Sequence, residues 1–277
     1  MPPQRNMDIL KNARRIVVKV GSSTLTYENG HMNFKRIEVI ARVLSDIVNS
    51  GRDVALVTSG AIAVGTAKMG LDHRPKTTEE RQAMAAIGQC ELMRIYESFF
   101  QNYGHPVGQV LLTRGTVENE VSRRNAINTF NTLFKFGCVP IVNENDTVAC
   151  DEIEMLDTFG DNDTLSAWVA VMIGADALII LSDIDGLYNS DPRKCPDAKL
   201  IHIVETIDDT VMSYAGGAGT DRGTGGLLTK LKAAKIATEA GIPTFILNGE
   251  DPEIIYELLD GGCVGTYFKA KPVKNYT

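Results

Sequence analysis

Two clusters of short acidic and amide side chains could form a polar site. They are Asn143, Asn145 and Asp146 in the first cluster and Asp161, Asn162 and Asp163 in the second. The first cluster follows an apolar, β-branched run that predicts a buried strand, and the second precedes a helical pattern. In open parallel sheets, active sites lie beyond the carboxyl ends of the strands, so we predict an active site here. The alternative is that these residues only form turns and cap helices.

Two lysines could supply positive charge for an anionic substrate. Lys19 interrupts the apolar strand pattern of residues 15–21. A charge in a buried strand is costly unless it meets an anion, although an exposed edge lysine would fit the same pattern. Lys230 lies in the first turns of a predicted helix over residues 227–240, which follows a glycine-rich run over 216–226. Such a junction suits phosphate binding, and a flexible surface loop is the alternative.

Two strand-to-turn junctions could contribute to the same site. The Thr58-Ser59-Gly60 turn joins a predicted strand to an alanine-rich helix, where free backbone N–H groups and a hydroxyl could bind an anion. After a later strand, an acid- and glycine-containing turn over residues 183–188, followed by Asp191-Pro-Arg-Lys194, could receive a ribose or a base, although a plain turn fits this pattern better.

Strand and helix patterns alternate along the chain. Predicted helices cover residues 33–50, the region from a Thr77/Glu80 capping box to Tyr103, and residues 116–136. Predicted strands lie between them and again near residues 177–182, 241–248 and 265–268. The order predicts an α/β protein with a mainly parallel sheet covered by helices on both faces.

Composition excludes several classes of function. With 35 Asp plus Glu against 28 Lys plus Arg, the chain does not resemble a nonspecific nucleic-acid-binding protein. Its five cysteines form no Cys-x-x-Cys pair, which favours reduced thiols over disulfides or zinc ligands. We find no pattern typical of a signal peptide or a membrane span. These features predict a cytoplasmic protein that binds neither nucleic acid nor a membrane.

Seven short motifs follow one another along the chain from about residue 15 to 268. They are Val17-Val-Lys-Val-Gly-Ser-Ser23, Val57-Thr-Ser-Gly-Ala-Ile-Ala63, Gln109-Val-Leu-Leu-Thr-Arg114, Val142-Asn-Glu-Asn-Asp-Thr-Val148, Gly160-Asp-Asn-Asp-Thr-Leu-Ser-Ala167, Asp185-Gly-Leu-Tyr188 with Asp191-Pro-Arg193, and Gly223-Thr-Gly-Gly-Leu-Leu-Thr-Lys230. This ordered set resembles the glutamate 5-kinase family of the amino acid kinase superfamily. The resemblance implies one α/β/α sandwich domain over residues 1–277, and ATP-dependent phosphorylation of L-glutamate to glutamyl 5-phosphate, the first step of proline biosynthesis.

The resemblance also assigns roles to individual residues. The catalytic positions of the family fall on Lys19, Lys230 and Asp163, the aspartate orienting the two lysines. The substrate positions fall on Ser59, Asp146 and Asn162, with Asn143 and Asp161 beside them in the same motifs. The nucleotide positions fall on Lys19, Ser182 and Asp183 and on the run Thr224, Gly225, Gly226, Leu227, Leu228, Thr229 and Lys230.

The resemblance further implies Mg²⁺ bound together with ATP, with no metal ligand predicted from the protein itself. It implies a homo-oligomer, a dimer or a tetramer, inhibited by proline through the acidic stretch from Asp151 to Phe159. Many family members carry a C-terminal PUA domain, which we do not expect in this chain.

Three alternatives remain open at this level. The first is another kinase of the superfamily, acting on acetylglutamate, carbamate or a nucleoside monophosphate. The second is a non-catalytic amino-acid or nucleotide sensor on the same fold. The third is a dinucleotide-dependent oxidoreductase, which fits less well because the first strand turn lacks Gly-x-Gly-x-x-Gly.

Overall fold

The computed structural model describes residues 10–27, 31–73, 75–148, 159, 161–215 and 226–272. Within this part of the chain, eight strands form one sheet with the order β3-β4-β2-β1-β5-β7-β8-β6. The strands are β1 Arg15–Val20, β2 Asp53–Val57, β3 Val107–Leu112, β4 Val139–Glu144, β5 Ala177–Ser182, β6 Ile203–Val204, β7 Thr244–Asn248 and β8 Thr266–Phe268. Every pairing is parallel except that of β7 with β8, which confirms the predicted mainly parallel sheet.

Helices cover both faces of this sheet. They are α1 Ser22–Leu25, α2 Phe34–Asn49, α3 Ala61–Lys68, α4 Thr78–Gln101, α5 Arg114–Glu118, α6 Glu120–Lys135, α7 Asn162–Ile173, α8 Asp209–Ser213, α9 Leu227–Glu239 and α10 Ile254–Leu259. One hydrophobic core lies between the sheet and α2, α4 and α10, and the other lies between the sheet and α6, α7 and α9. The protein is therefore an α/β/α sandwich, as predicted.

The predicted helix over residues 116–136 is wrong in one respect, because the structure divides this region between α5 and α6. Asn119 separates the two helices, with an extended backbone at φ −77° and ψ 120°. Its side-chain oxygen accepts a hydrogen bond from the Ser122 backbone N–H at 2.9 Å. An asparagine that caps a new helix competes with continuation of the old one. The predicted capping box of Thr77 and Glu80 is confirmed at the start of α4.

The alternation of side chains along β1 decides which face of the sheet Lys19 occupies. Ile16, Val18 and Val20 belong to the core beneath α2 and α4, and Val17 belongs to the core beneath α7 and α9. Because successive side chains of a strand point to opposite faces, Lys19 lies on the same face as Val17. Its position near the end of β1 brings its ammonium group close to the start of α7.

Helices α3 and α4 pack with their backbones in direct contact. A Cβ atom on Gly88 would lie 1.8 Å from the Ala61 carbonyl oxygen, and one on Gly65 would lie 2.0 Å from the Met84 carbonyl oxygen. Only glycine permits this approach. It fixes α4 against the helix that begins directly after the Thr58-Ser59-Gly60 turn. Residues on the buried face of α4 thereby reach the carboxyl ends of β2 and β4.

Two predictions from composition can be compared with the structure. Cys90, Cys138, Cys195 and Cys263 are free thiols, as predicted, whereas Cys150 lies outside the described residues. None of the described helices combines the length and the apolar character needed to cross a membrane.

Candidate active site

Lys19, Asp163 and Lys230 form one buried cluster, although they are far apart in the sequence. Lys19 Nζ lies 2.5 Å from Asp163 Oδ1, and Lys230 Nζ lies 3.3 Å from Asp163 Oδ2. The Thr229 hydroxyl also donates to Asp163 Oδ2, at 2.7 Å. The exposed fractions of Lys19, Asp163 and Lys230 are 5%, 1% and 6%. The structure therefore brings the two predicted lysines together around the predicted aspartate.

Burial and charge act against each other in this cluster. Burial lowers the pKa of Lys19 below the usual lysine value, and Lys230 adds to this effect, whereas Asp163 opposes it. For Asp163, burial favours the neutral acid, but the charges of Lys19 and Lys230 together hold the pKa below its usual value. Two ammonium groups around one carboxylate leave a net positive charge, which suits an anionic ligand.

Helix α7 begins inside the second predicted cluster. The Asp161 carboxylate caps this helix, accepting hydrogen bonds from the Thr164 backbone N–H at 2.7 Å and from the Thr164 hydroxyl at 3.0 Å. Burial raises the pKa of Asp161. Asp163 lies in the first turn, where the helix dipole stabilises negative charge. The interpretation of these acids as helix caps thus applies to Asp161, and Asp163 contacts the two lysines instead.

Amide side chains connect the two predicted clusters. Asn162 Nδ2 donates to the Thr58 carbonyl oxygen at 3.0 Å and to Asn143 Oδ1 at 3.1 Å. Asn143 Nδ2 donates to Gln89 Oε1 at 2.9 Å. Residues from the ends of β2 and β4, the start of α7 and the middle of α4 therefore meet in one hydrogen-bonded chain.

Ser59 and Asp146, two predicted substrate residues, lie at the same edge of the sheet. The Ser59 hydroxyl donates to the Val20 carbonyl oxygen at the end of β1, with a distance of 3.4 Å between the oxygens. Gly60 follows with φ +95°, a conformation that strains other residues and that lets the chain turn into α3. Asp146 is half-buried two residues beyond β4. The edge that carries the lysine cluster thus also carries hydroxyl, amide and carboxylate groups.

A cleft next to this cluster contains most of the predicted nucleotide-binding residues that lie in the described part of the chain. It is lined by Ser182, Asp183, Gly226, Leu227 and Lys230. Of the other predicted residues, Leu228 is exposed, and Thr229 is hydrogen-bonded to Asp163. Thr224 and Gly225 lie outside the described residues, as do Gly160 and residues 151–158 of the predicted acidic substrate loop.

Four residues of this region were not singled out from the sequence, although Tyr188 belongs to the turn over residues 183–188 that could receive a ribose or a base. Tyr188, Arg193 and Tyr214 line the cleft, and Gln89 belongs to the amide chain. Tyr188 and Arg193 stand in motifs that carry the resemblance, so they could have been found there. Gln89 has a different signal, because it is a polar residue on the buried face of an amphipathic helix. We find no comparable signal for Tyr214.

No group of three or more His, Cys, Asp or Glu side chains within the described residues could hold a metal ion. A model of the amino acid kinase family matches residues 14–248. This chain belongs to the amino acid kinase family. The matched residues include those of the lysine cluster, the amide chain and the cleft.

Several curated amino acid kinases match nearly the whole chain. A glutamate 5-kinase from Clostridium perfringens (strain 13 / Type A) is 56% identical over 262 residues, covering 95% of this chain and 97% of the relative. A glutamate 5-kinase from Listeria innocua serovar 6a is 50% identical over 262 residues, covering 95% of each chain. The motifs on which the resemblance depends are thus part of an almost full-length similarity.

Solved structures of amino acid kinase fold confirm the architecture. UMP kinase from Bacillus anthracis has a TM-score of 0.61 at 19% identity, covering 93% of this chain and 96% of its own. Isopentenyl phosphate kinase has a TM-score of 0.64 at 16% identity, covering 92% of this chain and 100% of its own. At such low identity these likenesses concern the fold alone.

Proposed function

We propose that this protein is a glutamate 5-kinase, which transfers the γ-phosphoryl group of ATP to the side-chain carboxylate of L-glutamate. The observation that carries the proposal is the buried cluster in which Asp163 contacts both Lys19 and Lys230. Almost full-length similarity to glutamate 5-kinases supports the choice of glutamate among the substrates of the family. The products are glutamyl 5-phosphate and ADP, and the reaction is the first step of proline biosynthesis.

The reaction does not need a general base. A glutamate side chain has a pKa of about 4.3, so it is ionised at neutral pH and can attack directly. One carboxylate oxygen forms a bond to the γ-phosphorus, and the bond from this phosphorus to the oxygen bridging it to the β-phosphate breaks. The electron pair of that bond leaves on ADP. The enzyme must therefore align two anions and stabilise the charge of the transferring group.

Lys19 and Lys230 are suited to that task. Their ammonium groups are held by one carboxylate and are almost completely buried, so each charge is screened little by water. We assign to them the stabilisation of the phosphoryl oxygens during transfer. Asp163 keeps both lysines oriented in the absence of substrate. The N-terminus of α9, which begins next to Gly226, adds backbone N–H groups that favour phosphate.

The amino-acid substrate would bind beside this cluster. We assign to Asp146 an interaction with the α-ammonium group of glutamate, because a carboxylate is a strong acceptor for a charged donor. Ser59, Asn143 and Asn162 would orient the substrate through hydrogen bonds. Asp161 remains a prediction of the same kind, and its capping of α7 supports a role in holding the neighbouring Asn162 and Asp163 in place.

ATP would occupy the cleft between Ser182, Asp183 and the start of α9. Tyr188, Arg193 and Tyr214 line this cleft and offer aromatic and cationic surface for a nucleotide. We propose that Mg²⁺ enters with ATP and is held mainly by the phosphates and by water, a mode of binding that is common for this ion. The described part of the chain contains no group of three or more His, Cys, Asp or Glu side chains that could hold the ion by itself. When bound, the ion would neutralise charge on the β- and γ-phosphates.

One assay tests the proposed function. ADP release is measured with Mg-ATP and, separately, glutamate, aspartate, N-acetylglutamate, carbamate or UMP. Of these five acceptors, we expect only glutamate to cause ADP release. Because acyl phosphates are labile, added hydroxylamine should trap the product as a hydroxamate. Release with N-acetylglutamate, carbamate or UMP, but not with glutamate, would overturn the proposal.

The family resemblance supports four further proposals. They are a single kinase domain, a cytoplasmic location, a homo-oligomer of two or four chains, and inhibition by proline. Light scattering after size-exclusion chromatography tests the oligomer, and a proline titration of the glutamate-dependent reaction tests the inhibition. A monomer, or full activity at saturating proline, would remove the respective proposal.

A further inference from the structure

Two backbone groups fix the orientation of the amides in the hydrogen-bonded chain. The Glu144 backbone N–H, which can only donate, lies 2.9 Å from the side chain of Asn143, so the atom that it meets must be the amide oxygen. The Thr58 carbonyl, which can only accept, lies 3.0 Å from the side chain of Asn162, so the atom that it meets must be the amide nitrogen. Neither amide can be flipped without losing one of these hydrogen bonds.

The orientation of Gln89 follows from the same argument. With its oxygen turned to Glu144, Asn143 presents its nitrogen to Gln89, so the atom of Gln89 at 2.9 Å must be the oxygen. Asn162 uses its second N–H on Asn143 Oδ1 at 3.1 Å. Gln89 is thereby the acceptor at the end of a chain in which every amide orientation is determined.

This chain leaves two polar atoms without a partner. Both atoms are buried: among the described residues, Asn162 Oδ1 accepts no hydrogen bond and Gln89 Nε2 donates none. Unsatisfied buried polar atoms are rare in folded proteins, and they occur where water, an ion or a functional role completes the hydrogen bonding. Asn162 therefore presents an acceptor, the polarity that suits an N–H donor such as the α-ammonium group of an amino acid.

Gln89 itself is held firmly in place. It is 8% exposed, and it follows Gly88, whose backbone packs directly on α3. Ala85 and Leu92, one helical turn before and after Gln89, are also buried. A glutamine at a core position of a helix is costly unless its amide is used.

We infer that Gln89 is a positioning residue for the amino-acid substrate, acting through Asn143 on Asn162. This inference rests on the proposed function. Without the acceptor on Gln89, Asn143 would keep a buried N–H without a partner, and the Glu144 backbone N–H alone would hold its side chain against Asn162. Asn162 would keep its hydrogen bond to the Thr58 carbonyl, but its second hydrogen bond, to Asn143 Oδ1, would weaken, and its oxygen would be placed less precisely.

Two substitutions and a matched control test the inference. Gln89→Met removes the acceptor at similar size, whereas Gln89→Glu keeps it, since burial favours the neutral acid, whose carbonyl can accept from Asn143. Gln101→Met makes the first change at an exposed position of the same helix. We expect Gln89→Met to raise KM for glutamate about tenfold, the effect of one misplaced hydrogen bond to a charged group. KM for ATP of Gln89→Met should stay within about twofold of the wild-type value. KM for glutamate of Gln89→Glu should lie closer to the wild-type value than that of Gln89→Met does.

A simple packing role predicts a different pattern. Gln89→Met would then match Gln101→Met in KM for glutamate, or Gln89→Glu would be worse than Gln89→Met, and either result overturns the inference. An equal rise in KM for both substrates also overturns it. If Gln89→Met fails to fold, Gln89→Glu decides, because a KM for glutamate near the wild-type value supports the inference and a tenfold rise refutes it. Absence of glutamate-dependent ADP release in the wild type would instead refute the proposed function.

Discussion

Replacement of Asp163 by Asn removes the one carboxylate that contacts both lysines of the cluster. The new amide retains the shape of the side chain but leaves two buried ammonium groups without their counter-charge. Asp163 is 1% exposed, and Lys19 Nζ lies 2.5 Å from its carboxylate. Because water cannot replace the lost charge at this depth, we expect both stability and activity to fall.

The loss of stability can be estimated from measurements on other buried ion pairs. Removal of one partner from such a pair costs about 3–5 kcal/mol. For a chain of this size, each kcal/mol shifts Tm by about 2–4 °C, so Asp163→Asn should lower Tm by roughly 6–20 °C at neutral pH. The difference in Tm between Asp163→Asn and the wild type should shrink as pH rises. Burial already lowers the pKa of Lys19, so at higher pH this lysine can lose its proton and no longer needs a counter-charge.

Two comparisons separate the loss of charge from general damage. Asp53→Asn removes a carboxylate that contacts Arg15 at 2.8 Å, where both side chains are partly exposed. This change should lower Tm by no more than about 4 °C and leave kcat unchanged. The triple substitution of Lys19→Met, Asp163→Asn and Lys230→Met removes all charge from the cluster, so it should recover Tm without recovering activity.

Thermal denaturation and glutamate-dependent ADP release measure the two effects. We expect kcat of Asp163→Asn to fall about 10²–10³-fold, the usual effect of losing one preorganised electrostatic contact. If Asp163→Asn and Asp53→Asn lowered Tm equally while kcat stayed normal, Asp163 would not hold the lysines for catalysis, and the assignment would be refuted.

Three further predictions concern neighbouring features. Lys230→Ala should lower kcat by about 10²–10³-fold with an unchanged circular dichroism spectrum, since Asp163 still contacts Lys19; near-normal turnover would refute its role. Because burial lowers the pKa of Lys19, kcat/KM for ATP should fall with rising pH on a limb whose midpoint lies below 10.5, and a midpoint at or above this value would contradict the assignment. Gly88→Ala should lower Tm far more than Gly70→Ala, because a Cβ on Gly88 would lie 1.8 Å from a backbone oxygen. A Cβ on Gly70 meets no atom within 4 Å, so that substitution costs only the backbone strain at φ +66°, about 1–2 kcal/mol; equal effects would argue against the close packing of α3 on α4.

Periodicity and residue type were sufficient to predict most of the fold. Buried β-branched runs located β1, β2, β4 and β5, and the capping box located the start of α4. The break between α5 and α6 was missed because an asparagine inside a helical pattern caps a new helix only if the chain turns there. The antiparallel pairing of β7 with β8 depends on tertiary contacts rather than on the pattern of either strand.

The cluster of Lys19, Asp163 and Lys230 illustrates what sequence can predict about the site. A lysine in a buried strand required an anion, and the motif of each residue suggested its role. That one carboxylate would contact both ammonium groups depends on how β1, α7 and α9 pack, which no local pattern contains. Gln89 shows the opposite limitation, because its role depends on two amide side chains, Asn143 and Asn162, contributed by other parts of the chain.

The most direct test of this account is a crystal structure with ADP, Mg²⁺, glutamate and aluminium fluoride, which imitates the transferring phosphoryl group. We predict that Lys19 Nζ and Lys230 Nζ both lie about 3 Å from fluorine atoms of that group, with Asp163 beside both ammonium groups and away from the fluoride. If either ammonium group pointed away from the aluminium fluoride, the paired lysines could not stabilise phosphoryl transfer as we describe.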